Sequence, residues 1–251
     1  MTVHFIGAGP GAADLLTLRA VRLIGESPVC LYAGTYIGEE VLAHCPEGAT
    51  LVDTAHLHLD AIIAYCVAAH ERGHDVARLC SGDPSLYSAV AEQTRRLDRA
   101  GVGWDVTPGV PAYAAAAALI GRELTVPELA QTVVLTRAQR ESTKMPDTEA
   151  LSHFAKSQAT LAIHLAIRQT REIAASLVDD YGHDCPVVVV ANAEQVSQVV
   201  LRGTLADIAG QVEAAGLRQA AIILVGRALA RDDADAVESH LYGARSRPNV
   251  P

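Results

Sequence analysis

Aromatic side chains are scarce: Phe, Trp and Tyr together make up 4% of the 251 residues. That excludes a core of stacked rings, so Ala, Val, Leu and Ile have to fill the interior. Lysine is almost missing. Of 20 basic residues, 18 are Arg and only Lys144 and Lys156 are Lys. Biased codon usage accounts for the ratio, although Arg also forks carboxylates better than Lys does. Positive charge is in deficit overall, with a formal net charge of -9. This argues against a general nucleic-acid or anionic-membrane surface. No apolar run reaches membrane-spanning length, because the Ala-rich stretch after Pro111 is broken by Gly121 and Arg122. There is no C-x-x-C pair. Cys30, Cys45, Cys66, Cys80 and Cys185 are odd in number and scattered, so free thiols in a reducing cytoplasm are expected. Neither a charged n-region nor a cleavage site precedes the first strand pattern, so no signal peptide is expected.

What is present is alternation. Strand patterns at Val3–Ile6, Pro28–Tyr32, Thr50–Asp53, Asp75–Cys80 and Gly103–Thr107 are separated by helical patterns at Leu15–Ile24, Leu59–Glu71 and Ser85–Ala100. This order predicts a parallel sheet with helices on both faces. Pro108-Gly109-Val110-Pro111 punctuates the chain, and a small-residue helix, Ala112–Ile120, follows. The second half reads differently, with strands at Thr132–Thr136, Thr160–Leu165, Val187–Val190, Val199–Gly203 and Ala221–Val225. Helices fit Glu149–Ala155, Gln169–Tyr181 and Leu205–Ala215. Gln195–Thr204 reads as a hairpin arm, which makes this sheet mixed. The expected class is α/β with two domains: residues 1–111 with glycine loops, 112–231 with the mixed sheet, and a polar tail over 232–251.

Three strand-to-helix loops carry the chemistry. The first is Gly7-Ala8-Gly9-Pro10-Gly11. It half-matches a dinucleotide fingerprint, but Pro10 lacks the N–H a pyrophosphate would use. The second strand also ends in Ala33-Gly34-Thr35 rather than an acid for a ribose. The second loop is Ser81-Gly82-Asp83-Pro84-Ser85-Leu86-Tyr87. Read alone, it is a helix start with Asp83 as N-cap and Pro84 at the first helical position. The third is Pro108-Gly109-Val110-Pro111-Ala112. All three fall at one end of one sheet, where open α/β folds bind ligands.

Together these loops resemble those of the tetrapyrrole methyltransferase family, over roughly residues 1 to 230. Glu123-Leu124-Thr125-Val126-Pro127-Glu128-Leu129, followed by Gln131–Arg137, resembles the subgroup that methylates carbon 11 of precorrin-4. The Ala112–Ala118 run and His58 fit the same subgroup. The resemblance implies S-adenosylmethionine as cofactor, S-adenosylhomocysteine as product, a homodimer, and a cofactor cleft between the two domains. Pro10, Ser81, Gly82, Asp83, Leu86, Pro111 and Ala112 would line the cleft from the first domain. Leu165, Asn192-Ala193 and Ala220-Ala221 would line it from the second.

Some relatives carry an Asp where this chain has Gly34, so no base is assigned there. His58, Tyr113 and Glu123 are the candidates for a weak base. His56 and His58, two apart, invite a metal reading, but no third ligand is near in sequence and none is assigned. The tetrapyrrole substrate would carry many carboxylates, for which Arg122, Arg137, Arg140, Lys144 and Arg168 are candidate partners; for each of them singly, a solvated basic face is the plainer reading. Three alternatives stay open: methylation at another ring position or of a cobalt-bearing ring, a protein-modifying relative, and a non-catalytic tetrapyrrole carrier. A nicotinamide-linked oxidoreductase is opposed by Pro10 and the missing ribose acid.

Overall fold

The computed structural model describes residues 1–139 and 144–230. The chain divides into two compact units. One comprises Met1–Ala115 with Asn192–Ser197; the other comprises Ala116–Ala191 and Gln198 onward.

The first unit is built on β1 (Thr2–Gly7), β2 (Val29–Tyr32), β3 (Thr50–Asp53), β4 (Val76–Cys80) and β5 (Gly103–Thr107). All pairings are parallel, in the spatial order β3-β2-β4-β1-β5. Side chains alternate across each strand. Ile6, Cys30, Ala77 and Leu79 pack against α1 (Leu18–Glu26) and α2 (Glu39–Leu42). Phe5, Leu31, Val76 and Cys80 pack against α3 (Leu59–Glu71) and α4 (Val90–Arg99). With both faces covered, the strands read as near-continuous apolar runs. Each fully buried Phe, Ile or Leu contributes about 1.5–3 kcal/mol.

Two helices start later than their sequence pattern predicts. Expected from Leu15, α1 begins at Leu18, because Thr17 accepts the Ala20 N–H at 3.1 Å and caps the helix. Ala13–Leu15 make only a single 3-10 turn. The helix expected over Ser85–Ala100 begins only at Val90, for a reason found in the loop before it.

The second unit begins within α5 (Ala112–Ile120), which matches its expected range. Its sheet contains β6 (Val133–Arg137), β7 (Thr160–His164), β8 (Pro186–Ala191), β9 (Val199–Thr204) and β10 (Ala221–Val225), in the order β6-β7-β10-β8-β9. β6 and β7 are parallel and the other pairs antiparallel, so the sheet is mixed. The expected hairpin arm is β9 on β8. One face packs against α6 (Leu151–Ala155), α7 (Thr170–Tyr181) and α8 (Ile208–Ala214), burying Leu161, Ile163, Leu177, Val189, Ile208 and Ile223. The expected helix Glu149–Ala155 is broken into a 3-10 turn, Asp147–Glu149, and α6. The helix expected over Leu205–Ala215 shortens to α8. Arg140 and the tail after Asp232 lie outside the described residues. Among the described residues no helix is long and apolar enough to cross a membrane.

Candidate functional site

The loops after β4, β1 and β5 leave adjacent strands at the same sheet end, and main chain ties them together. Gly7 stands in register with Cys80, and the Ala8 N–H donates to the Cys80 carbonyl at 2.8 Å. Beyond the sheet, Gly9 and Gly82 exchange both backbone bonds, at 3.2 and 2.7 Å. Their φ values of +73° and +68° favour glycine. A Cβ on Gly7 would fall 2.4 Å from the Gly109 nitrogen, and one on Gly109 would fall 2.3 Å from the Gly82 carbonyl oxygen. Gly7, Gly82 and Gly109 therefore serve close packing of loop on loop. Pro111 and Ala112 join this packing through Gly82, whose missing Cβ would lie 3.6 Å from the Pro111 Cα.

Asp83 clasps the second loop to the third. Its Oδ1 accepts the Ser85 N–H at 2.8 Å and the Ser85 hydroxyl, while its Oδ2 accepts the Gly109 N–H at 2.8 Å. Partial burial pushes its carboxyl up, but these bonds more than offset that and hold it below the ordinary carboxylate range. The N-cap reading is thus corrected: Asp83 caps no helix. The chain passes through left-handed backbone at Tyr87 and Ala89, φ +56° and +51°, before α4 can start. Ser81 is exposed and Leu86 half-buried on this loop. Pro10 is buried and its carbonyl accepts Gln195 Nε2 at 3.5 Å; Ala193 is buried beside Gly11. The first unit so brings together Pro10, Ser81, Gly82, Asp83, Leu86, Pro111, Ala112 and Ala193.

No Lys, Arg or His stands within residues 7–13, 81–89 or 108–115, and the one charge there is Asp83. A cationic ligand suits such loops and a pyrophosphate does not. Non-glycine residues in left-handed backbone mark functional positions often enough to be informative. At one end of the second sheet they form a row. Leu165 follows β7 with φ +55°, Asn192 follows β8 with φ +47°, and Ala220 precedes β10 with φ +50°. The register sets Ala221 opposite Ala191 and Ile223 opposite Ile163, so these positions are neighbours across the strands. Leu165 is 48% exposed despite being apolar. Beside it His164 is buried, and burial pushes its imidazole down to about 4.

The candidate bases stand on different elements. His58 precedes α3 beyond β3, three strand spacings from β1, or about 14 Å at ~4.8 Å each. Tyr113 lies just past the third loop, in the first turn of α5. Glu123 belongs to the second unit, where its carboxylate accepts the Thr125 hydroxyl at 3.0 Å. The described basic candidates all fall in the second unit. Arg137 ends β6 and donates to the Lys144 carbonyl at 3.2 Å. Arg168, just past β7, donates to the Arg218 carbonyl at 3.0 Å. Arg122 closes the turn after α5, its N–H donating to the Ala117 carbonyl at 3.0 Å.

One residue that sequence reasoning missed is Asp53. Its Oδ1 accepts the N–H groups of Gly34 and Ala55 at 3.0 and 2.9 Å, and these bonds hold its carboxyl below the usual range. A Cβ at Gly34 would lie 2.5 Å from its Oδ2. The acid missing after β2 is thus replaced in space by one at the end of β3, and a separation of 19 residues hides this from any local pattern.

Comparison with known proteins gives a consistent result. The family model described as tetrapyrrole (corrin/porphyrin) methylases matches residues 2–209. A Rhodococcus erythropolis protein named precorrin-4 C(11)-methyltransferase is 56% identical over 244 residues, 97% of each chain. A Methanocaldococcus jannaschii protein named cobalt-precorrin-4 C(11)-methyltransferase is 38% identical, covering 90% of this chain and 88% of its own. Among solved structures, the cobalt precorrin-4 methyltransferase CbiF superposes with a TM-score of 0.88 at 35% identity, covering 91% of this chain and 96% of its own. A Thermus thermophilus uroporphyrin-III C-methyltransferase complexed with S-adenosylhomocysteine superposes with a TM-score of 0.75 at 29% identity, covering 91% and 93%.

Proposed function

This chain belongs to the tetrapyrrole (corrin/porphyrin) methylase family, and from that premise we infer that it methylates C11 of precorrin-4 with S-adenosylmethionine. The products are precorrin-5 and S-adenosylhomocysteine, a step of cobalamin biosynthesis. One observation carries the reading: 56% identity, over nearly the whole of both chains, to a protein named for that reaction. The metal-free ring is the substrate assigned, because identity falls to 38% with the relative named for the cobalt form.

S-adenosylmethionine supplies an activated methyl on a sulfonium, itself an excellent leaving group. What the protein has to add is position and exclusion of water. The main-chain loops around Pro10, Gly82 and Pro111, free of basic side chains, suit a cationic donor. Leu165, Ala193 and Ala221 offer it apolar surface. Asp83 holds two of the loops at one spacing and so acts on the donor through the main chain. Arg137, Arg140, Lys144 and Arg168 are assigned to the substrate's carboxylates, which Arg binds bidentately. Arg122 is assigned the same role. A proton leaving the ring system needs only a weak acceptor, a role in which Tyr113, His58 and Glu123 are the candidates. The enzyme is assigned to the cytoplasm as a homodimer; its five cysteines, all free, support the first assignment.

The test is incubation with precorrin-4 and S-adenosylmethionine carrying a ¹³C methyl, read by NMR of the product. Label at C11 is expected. Label on another carbon overturns the position, and binding of both ligands without transfer overturns the enzyme.

A further inference from the structure

Adjacent parallel strands whose connections leave to opposite faces open a crevice at their C-terminal ends. β1 and β4 are such a pair, and main chain laces that crevice shut. β2 and β4 are another, with α2 on one face and α4 on the other. Their pairing stops at Leu31 opposite Arg78, while β2 runs on beside β3 to Tyr32 and β4 runs on beside β1 to Cys80. The Arg78 guanidinium lies where they part, half-buried. Its Nε donates to Gln93 Oε1 at 3.1 Å; Gln93 is buried, and its Nε2 is engaged by the Ser88 and Ala89 carbonyls, both at 3.3 Å. The Arg78 Nη1 reaches the Leu31 and Leu79 carbonyls at 3.4 and 3.3 Å and the Thr54 hydroxyl at 3.4 Å. Every one of these acceptors is neutral. Among the described residues no carboxylate pairs with Arg78. Asp53 at the end of β3 and Asp83 in the loop after β4 accept main-chain N–H groups instead. Nη2 donates to none of the described residues and is not sealed from solvent.

Neutral groups that fix two nitrogens of a guanidinium hold it in one orientation and leave its charge whole. A cation drawn out of water is ordinarily paired, and here the chain supplies no anion. We propose that Arg78 is a carboxylate subsite, in which Nη2 donates to a carboxylate of the tetrapyrrole at the mouth of the crevice between β2 and β4. The proposal rests on the methylase reading above. A second carboxylate is at hand, that of the S-adenosylmethionine itself. The loops suited to that cationic donor follow β4, β1 and β5, whereas this crevice lies on the other side of β4, so the subsite is given to the tetrapyrrole. Lysine cannot serve in full, because a single ammonium cannot cap the strand carbonyls and also present a second nitrogen to the ligand.

The test uses the full-length protein with uroporphyrin, a stable tetrapyrrole polycarboxylate, whose binding is read by fluorescence, and with S-adenosylhomocysteine, read by calorimetry. Arg78→Gln is expected to weaken uroporphyrin at least about tenfold and to flatten the salt dependence of its affinity. Arg78→Lys should recover part of the loss, and S-adenosylhomocysteine should bind both variants as it binds the unaltered protein. Unchanged uroporphyrin affinity in Arg78→Gln overturns the proposal. So does a loss confined to S-adenosylhomocysteine, which would give the guanidinium to the donor, or an equal loss of both ligands, which would make it a structural tie. A crystal structure of the unaltered protein with uroporphyrin decides the matter even where a variant fails to fold. A carboxylate oxygen hydrogen-bonded to Nη2 is expected, and a ring bound elsewhere overturns the subsite alone. Uroporphyrin that does not bind at all overturns the subsite together with the tetrapyrrole reading. Uroporphyrin held at Arg78 by a protein that transfers no methyl to precorrin-4 overturns the reaction and leaves the subsite standing.

Discussion

Gly109→Ala is the sharpest test of how the loops are held. The φ of Gly109 lies outside the left-handed region, so alanine meets no conformational penalty there and any cost is steric. The new methyl would sit 2.3 Å from the Gly82 carbonyl oxygen and 2.7 Å from the Gly7 Cα. Ordinary contact begins near 3.4 Å, so the loops must part by about 1 Å against backbone on two sides. Overpacking of this kind costs about 1–3 kcal/mol. Parting also stretches the bond from the Gly109 N–H to the Asp83 carboxylate, a charged bond worth about 1.5–3 kcal/mol. Since the two effects share one displacement they do not add, and a total near 3 kcal/mol is expected. At ~2–4 °C per kcal/mol for a chain of this size, unfolding of the first unit should come about 6–12 °C earlier. Calorimetry with and without S-adenosylhomocysteine reads both consequences, and affinity should fall at least about tenfold, the equivalent of ~1.4 kcal/mol. Gly210→Ala is the control. Gly210 lies inside α8 with nothing within 4 Å of its missing Cβ, so this change should raise stability by up to about 1 kcal/mol. Unchanged melting and unchanged affinity in Gly109→Ala would refute the interlocked-loop account.

Three further outcomes are expected. Asp83→Asn keeps the size of the side chain but turns one of its two accepting oxygens into an NH2 donor, breaking one side of the clasp, and should weaken S-adenosylhomocysteine about tenfold by titration calorimetry, the equivalent of ~1.4 kcal/mol; full affinity would make the clasp irrelevant to the ligand. His164, held near 4 by burial, is neutral in the folded chain where the unfolded imidazole, near ~6.5, takes a proton. Its stability contribution is complete above that value and is lost as pH falls from about 6.5 to about 4, by up to ~3 kcal/mol; denaturant titrations across that window should lose this slope in His164→Leu, and a slope that persists would assign it elsewhere. Arg137→Ala should raise the tetrapyrrole KM several-fold with little change in S-adenosylmethionine affinity. Equal effects on the two ligands would contradict the assignment of Arg137 to the tetrapyrrole.

The parallel sheet and the hairpin arm were legible because burial on both faces, or on one, writes its period directly into the chain. The site was legible only as a location. The glycine loop reads as a ligand cradle, yet Gly7 and Gly109 answer to each other across about a hundred residues. Asp83-Pro84 carries the local signature of a helix start. A partner 26 residues away, the Gly109 N–H, claims its carboxylate instead, and a tertiary bond of that kind leaves no trace in local spacing. Asp53 beside Gly34 was hidden for the same reason.

The interlocked glycines also bear on how the proposed donor site can change over time. A surface written in main-chain atoms offers few side chains to exchange, so scanning it one alanine at a time will under-report its importance. At most positions the scan deletes nothing the ligand touches. At Gly7 and Gly109 it adds a methyl where only absence fits. Drift in what the enzyme accepts should therefore collect in the Arg-bearing loops of the second sheet, where one codon can move a charge. The three crossed loops can shift only by compensating changes made together.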